Sequence, residues 1–131
     1  MQFEGITKIA QDFSLSAVIL FGSRLPEKTR FKNDYDFAVL IPTQKLEVDK
    51  ELSLICKFSQ LLKTDNFDLV VLNFASPLLQ YEVARGGKVI YERKPGLFNR
   101  FRWHAIQRWN DNKKFHALKT KYINEYLKGN G

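Results

Sequence analysis

Cysteine is almost absent: Cys56 is the only one among 131 residues. No disulfide can form within the chain, and the expected setting is a reducing cytoplasm. Histidine is nearly as scarce. His104 and His116 stand twelve apart, which puts them about 120° around a helix and excludes a paired metal site there. No apolar run approaches the ~20 residues needed to span a bilayer, so a membrane protein is not expected. The opening stretch MQFEGITKIAQDF lacks a basic start followed by an apolar core, which speaks against a secretion signal. There is no internal repeat and no low-complexity segment. Acids, finally, are missing from the last third. Residues 1–92 carry eleven Lys and Arg against twelve Asp and Glu, whereas residues 93–131 carry ten against two. The whole +7 net charge therefore belongs to the C-terminal segment, which fits a polyanion, an acidic partner protein or a solvated basic helix face.

What is present is enough for a core. The chain is 44% hydrophobic with eighteen aromatic residues, and its length suits one domain. Apolar positions 3, 6, 9, 10 and 13 predict a short helix, and 16–21 a first strand. After a polar, basic loop a second strand is predicted over 35–41, stopped by Pro42. Apolar residues at helical spacing follow over 46–62, with Cys56 expected as a small buried hydrophobe on that helix. Residues 67–72 read as a third strand. Ser76–Pro77 opens a helix that Gly86–Gly87 closes. Residues 88–92 predict a short edge strand, and one long helix fills about 97–127. The expected fold class is α/β (α+β): a mixed, mostly antiparallel sheet of about four strands flanked by helices. The first two strands, joined without a helix, are expected to pair antiparallel.

The chemistry concentrates between Leu20 and Ile41. A buried strand ends abruptly in Gly22–Ser23, and after ten intervening residues Asp34–Tyr35–Asp36 opens the next one. Side chains two apart on a strand share a face, so Asp34 and Asp36 point the same way. Two adjacent carboxylates repel unless a cation lies between them. Asp68 is the only acid inside another predicted strand, and if the strands are neighbours three carboxylates converge. Oxygen-only ligation suits Mg²⁺ or Mn²⁺ rather than zinc. Two such ions, about 3.5–4 Å apart, can hold a triphosphate and activate an incoming hydroxyl. A glycine at a strand end lets backbone approach a phosphate, and Ser23 can donate to it.

Phe21–Gly22–Ser23–Arg24, then Asp34–Tyr35–Asp36–Phe37, then Phe67–Asp68–Leu69 resembles the DNA polymerase beta-type nucleotidyltransferases. The stretches 72–79 and 82–92, with the aromatic, basic C-terminal helix, look like the minimal (MNT) branch, the antitoxins paired with HEPN ribonuclease toxins. The resemblance covers about residues 15–115. It implies the nucleotidyltransferase fold, ATP as substrate and Mg²⁺ or Mn²⁺ as cofactor. It further implies transfer of AMP to a tyrosine of a HEPN-family toxin, with release of pyrophosphate. Carried onto this chain, Asp34, Asp36 and Asp68 are the catalytic, metal-holding acids. Asp68 is also placed to draw the proton from the attacking hydroxyl. Gly22, Ser23 and Arg24 bind the nucleotide. Where the branch commonly continues Ala–Arg–Gly, this chain has Leu25–Pro26–Glu27, which removes an arginine and a glycine near the nucleotide; Lys28 or Arg30 can substitute.

The resulting division is a nucleotidyltransferase core over 1–92 and a basic aromatic helix over 93–131 packed on it. Phe98, Phe101, Trp103, Trp109, Phe115, Tyr122 and Tyr126 stud that helix; one stripe is expected to cover the sheet, and the rest to meet a partner or, as a competing reading, nucleic acid. Two other functions stay open: neutralisation of the toxin by stoichiometric binding, and nucleotide transfer to a small molecule of aminoglycoside type. The intact acids favour the protein-modifying enzyme over the binder. The short chain after residue 92 leaves little room for a separate small-molecule domain.

Overall fold

A computed structural model describes residues 3–22 and 35–130. The first helix, α1 (Glu4–Asp12), buries Ile6 and Ala10 one turn apart. It is followed by β1 (Ala17–Phe21), β2 (Tyr35–Leu40), α2 (Val48–Leu62) and β3 (Phe67–Val71). A single 3₁₀ turn, Leu72–Phe74, leads to α3 (Pro77–Gly86), β4 (Lys88–Glu92) and α4 (Leu97–Asn130). The element order and bounds match the expectations to within one to three residues. The strands form one sheet in the order β3-β2-β1-β4. β1 pairs antiparallel with both β2 and β4, and β2 pairs parallel with β3. The sheet is therefore mixed and mostly antiparallel, as expected, with β4 at an edge.

Period-2 alternation sends the strand residues into two cores. Val18, Phe37, Val39 and Val71 meet α1 and α2 on one face, with Ile6, Ala10, Leu54 and Phe58. Ala17, Ile19, Ala38 and Leu40 meet α3 and α4 on the other, with Val83 and Phe98. α1 lies so close to α2 that a Cβ at Gly5 would come within 2.5 Å of Leu61 Cδ1. Cys56 is exposed, contrary to expectation. The buried side of α2 is set by Leu54 and Phe58, and a residue two positions after Leu54 lies about 200° away around the helix.

Polar side chains weld the α3–α4 layer to the sheet. Asn73 extends the β2 pairing past the strand end: its Nδ2 donates to Ile41 O at 2.8 Å, and its Oδ1 accepts from Ile41 N at 2.9 Å. Ser76 caps α3, accepting from Leu79 N at 3.2 Å. Glu92, the last residue of β4, accepts from Gly96 N at 3.1 Å and Phe98 N at 3.0 Å, so a carboxylate closes the start of α4. Arg102 Nε donates to Ala84 O at 2.8 Å and its Nη2 to Gly87 O at 3.3 Å, satisfying carbonyls at the end of α3. Buried Gln80 donates to Leu72 O at 2.9 Å and accepts from Arg108. Tyr81 stacks on Trp109 at 5.4 Å between ring centroids. Together these contacts run α4 antiparallel along α3.

The expected aromatic stripe on α4 covers the core only in part. Phe98 is buried and Phe101 and Trp109 half-buried, while Trp103, Phe115, Tyr122 and Tyr126 are exposed. The cause is length. At ~1.5 Å per residue, the ten residues of α3 offer about 15 Å of support, whereas the 34 of α4 extend for about 51 Å.

Candidate active site

The strand register brings the acids together. Phe21 stands opposite Asp36 across the antiparallel β1–β2 pair, and Asp36 stands opposite Asp68 across the parallel β2–β3 pair. Directly paired residues share a face, and neighbouring strands lie about 4.8 Å apart. Asp36 and Asp68 therefore project side by side on the α3–α4 face, one row beyond the Ile19, Ala38 and Val70 row that floors that core. Asp36 is half-buried and Asp68 exposed. Asp68 lies on an edge strand, open to an incoming group.

Asp36 owes its direction to its neighbours. Tyr35 and Phe37 point to the opposite face, where they join an aromatic cluster with Phe3, Phe58 and Phe67. Phe37 meets Phe58 at 5.2 Å and Phe3 at 5.9 Å in edge-to-face geometry, and is itself fully buried. With both flanking rings held below the sheet, the Asp36 carboxylate has only the upper face. Composition alone did not disclose this role for Tyr35 and Phe37, although aromatic residues alternating with the acid are its signature.

Gly22 supplies the second constraint. Its φ is +87°, in the region only glycine enters without strain. A Cβ added there would lie 2.8 Å from Asp36 Cγ and 2.9 Å from Asp36 Cβ, and closer still to Oδ2. Real carbon–carbon contacts prefer about 3.5–4.0 Å. The glycine thus leaves room for the Asp36 carboxylate. The resemblance implies that Gly22 binds the nucleotide; the geometry adds a direct positioning of the acid.

Asp34, Ser23 and Arg24, together with Leu25–Pro26–Glu27, Lys28 and Arg30, lie outside the described residues. Among the described residues no group of three or more His, Cys, Asp or Glu side chains forms. Of the three expected acids, Asp36 and Asp68 lie among the described residues, and the structure places them next to each other. Both donors are carboxylate oxygens, one partly and one fully accessible, beside a glycine. Their chemistry fits a hard divalent cation such as Mg²⁺ or Mn²⁺. His104 and His116 are exposed on α4 and contribute nothing to this row.

A family model described as polymerase beta, nucleotidyltransferase matches residues 4–96. The chain belongs to this nucleotidyltransferase family. The matched span contains every candidate site residue and ends at the start of α4. The nucleotidyltransferase is 31% identical over 121 residues to the protein adenylyltransferase MntA of Aphanizomenon flos-aquae, covering 86% of this chain and 81% of that one. A solved chain from a tri-AMPylated Shewanella oneidensis HEPN toxin in complex with MNT antitoxin has the same fold. Its TM-score is 0.69 and its identity 24%, over 96% of each chain. A chain from a toxin–antitoxin structure with AMP-PNP gives a TM-score of 0.72 at 24% identity, over 97% of this chain and 99% of that one. The nucleotidyltransferase fold expected from the motifs is thus observed. No helix among the described residues is long and apolar enough to cross a membrane.

Proposed function

We propose that this chain is an ATP- and Mg²⁺- or Mn²⁺-dependent protein adenylyltransferase, an antitoxin that silences a HEPN-family toxin by AMPylating one of its tyrosines. The observation that carries the reading is the row Asp36–Asp68 beside Gly22 in a relative of MntA. The working compartment in this reading is the cytoplasm, in keeping with the single cysteine.

Asp34, Asp36 and Asp68 are the residues that would hold the divalent ions. When bound, these neutralise charge on the triphosphate. Gly22, Ser23 and Arg24 receive the phosphates. The tyrosine oxygen attacks the α-phosphorus of ATP, forming a new P–O bond while the bond to the β-phosphate oxygen breaks and pyrophosphate leaves. Asp68, on the open edge strand, takes the phenolic proton. Half-buried Asp36, locked by Gly22 and the aromatic cluster, sets the frame in which the phosphate is presented.

The test uses the protein encoded by the neighbouring gene, provided that it is of the HEPN family, with labelled ATP and Mg²⁺. Label is expected on that protein, and Asp36→Asn should reduce the transfer rate by about 10³-fold. The alternative, neutralisation by stoichiometric binding, predicts full protection from toxicity by Asp34→Asn/Asp36→Asn with no label on the partner. That outcome would overturn the enzymatic reading.

A further inference from the structure

Two strands end the sheet, β3 on one side and β4 on the other, and they are built differently. β4 is irregular. Its register against β1 shifts between Val18 and Ile19: Tyr91 stands opposite Val18 and Val89 opposite Ile19, with Ile90 as the extra residue. A bulge of this kind twists an edge and spoils it as a template for a further strand. β3 has no such break. All five of its residues pair with β2 in one continuous parallel register, from Tyr35 with Phe67 to Val39 with Val71.

That register also fixes which backbone groups of β3 point outward. Tyr35 N donates to Asn66 O at 3.3 Å. In a parallel ladder every second residue of a strand bonds to a given neighbour, so from this start the N–H and C=O of Asp68 and Val70 turn to β2. Those of Leu69 turn the other way, flanked by Phe67 C=O and Val71 N–H. Phe67 N donates to Asp65 O at 2.9 Å, while these four outward groups have no backbone partner among the described residues. They form a row of two donors and two acceptors, as an added strand requires. The two faces of β3 are already in use, since Phe67 and Leu69 pack into one core and Val70 into the other.

Asp68 selects the occupant. Its carboxylate is exposed and projects on the α3–α4 face beside Asp36. A strand laid on β3, about 4.8 Å away, adds a fourth position to the row of Phe21, Asp36 and Asp68. A side chain at that position, or two residues along, lies about 4.5–8 Å from Asp68, a distance that an aromatic side chain spans. A second copy of this chain fits badly. Antiparallel pairing of two β3 edges about Leu69 sets the Asp68 carboxylates of both copies on one face, diagonal to each other, and like charges oppose it.

We infer that the outer edge of β3 is the acceptor subsite: the modified segment of the partner binds there as an added, extended strand, with its tyrosine at or two residues from the position opposite Asp68. This rests on the adenylyltransferase reading above and states how its protein substrate is held. Main-chain hydrogen bonds supply the affinity and align the phenol with Asp68. The tyrosine is recognised by its place in an extended segment more than by the side chains around it.

The test uses the full chain and the same neighbouring-gene product. Hydrogen exchange at single-amide resolution is followed with and without that partner, in the absence of ATP. The Leu69 and Val71 amides should exchange freely in the isolated chain and about 10-fold or more slowly with the partner bound; those of Asp68 and Val70, already bonded to β2, should change little. In parallel, Leu69→Pro removes the outward N–H and Leu69→Ala keeps it. With Mg²⁺ and labelled ATP, Leu69→Pro should lower kcat/KM for the partner about 10-fold relative to Leu69→Ala, with the affinity for ATP unchanged in both. Alternate protection of Leu69 and Val71 supports the inference even where Leu69→Pro does not fold. A labelled partner that leaves the Leu69 and Val71 amides as free as in the isolated chain overturns it and leaves the enzymatic reading standing, as does equal kcat/KM in two folded variants. Amides at these positions that are already protected in the isolated chain, at any concentration, assign the edge to another occupant and overturn it too. A wild-type chain that transfers no label overturns the enzymatic reading and this inference with it.

Discussion

Replacing Gly22 with alanine tests the geometry of the site at its tightest point. Two separate costs are expected. An L-residue at φ +87° costs roughly 1–2 kcal/mol in the backbone. The new Cβ also overlaps Asp36, with Cγ at 2.8 Å and Cβ at 2.9 Å against about 3.5 Å at rest, so the aspartate must move by over half an ångström. Overpacking of this kind adds roughly 1–3 kcal/mol. The total, about 2–5 kcal/mol, should lower the midpoint of thermal unfolding by about 10 °C or more. Displacing Asp36 by such an amount should slow AMP transfer about 10²-fold, measured in single turnover with labelled ATP. A double-mutant cycle separates the two costs. In an Asp36→Ala background the overlap with Cγ and Oδ2 is gone, and the penalty of Gly22→Ala should fall by about half. An equal penalty in both backgrounds would show that only backbone strain matters. Wild-type stability and transfer in Gly22→Ala would refute the positioning argument outright.

Three further outcomes follow from the same contacts. EDTA should abolish transfer and excess Mg²⁺ restore it; labelling that survives chelation would contradict the carboxylate donor set. Glu92→Gln keeps the shape of the cap but removes the charge facing the two amides at the start of α4, and urea unfolding should show a loss of about 1 kcal/mol. Arg102→Ala leaves the carbonyls of Ala84 and Gly87 without their guanidinium and removes its contact over the Phe98 ring at 4.8 Å, which should cost about 2 kcal/mol by the same measurement.

Periodicity and punctuation in the chain determined the elements. Apolar alternation, Pro42, Ser76–Pro77 and Gly86–Gly87 lie where the strands and helices begin and end, because local backbone geometry answers to local residues. The motif residues likewise marked Asp36 and Asp68 before any pairing was known. Pairing itself is a non-local matter. That Asp36 faces Asp68 depends on β2 and β3 running parallel in one register, and a shift by one residue would send the carboxylates to opposite faces. That Gly22 makes room for Asp36 depends on the β1–β2 register in the same way. Cys56 and the outer half of α4 show the limit of pattern reading. An apolar residue on a helix is buried only where another element lies across from it. α2 turns Leu54 and Phe58 to the sheet and Cys56 away, and α3 is too short to cover α4 beyond Asn112. The sequence by itself determined which segments form and which acids are candidates for the chemistry; the tertiary structure decided which side chains meet and which remain uncovered, because burial is a property of pairs of elements.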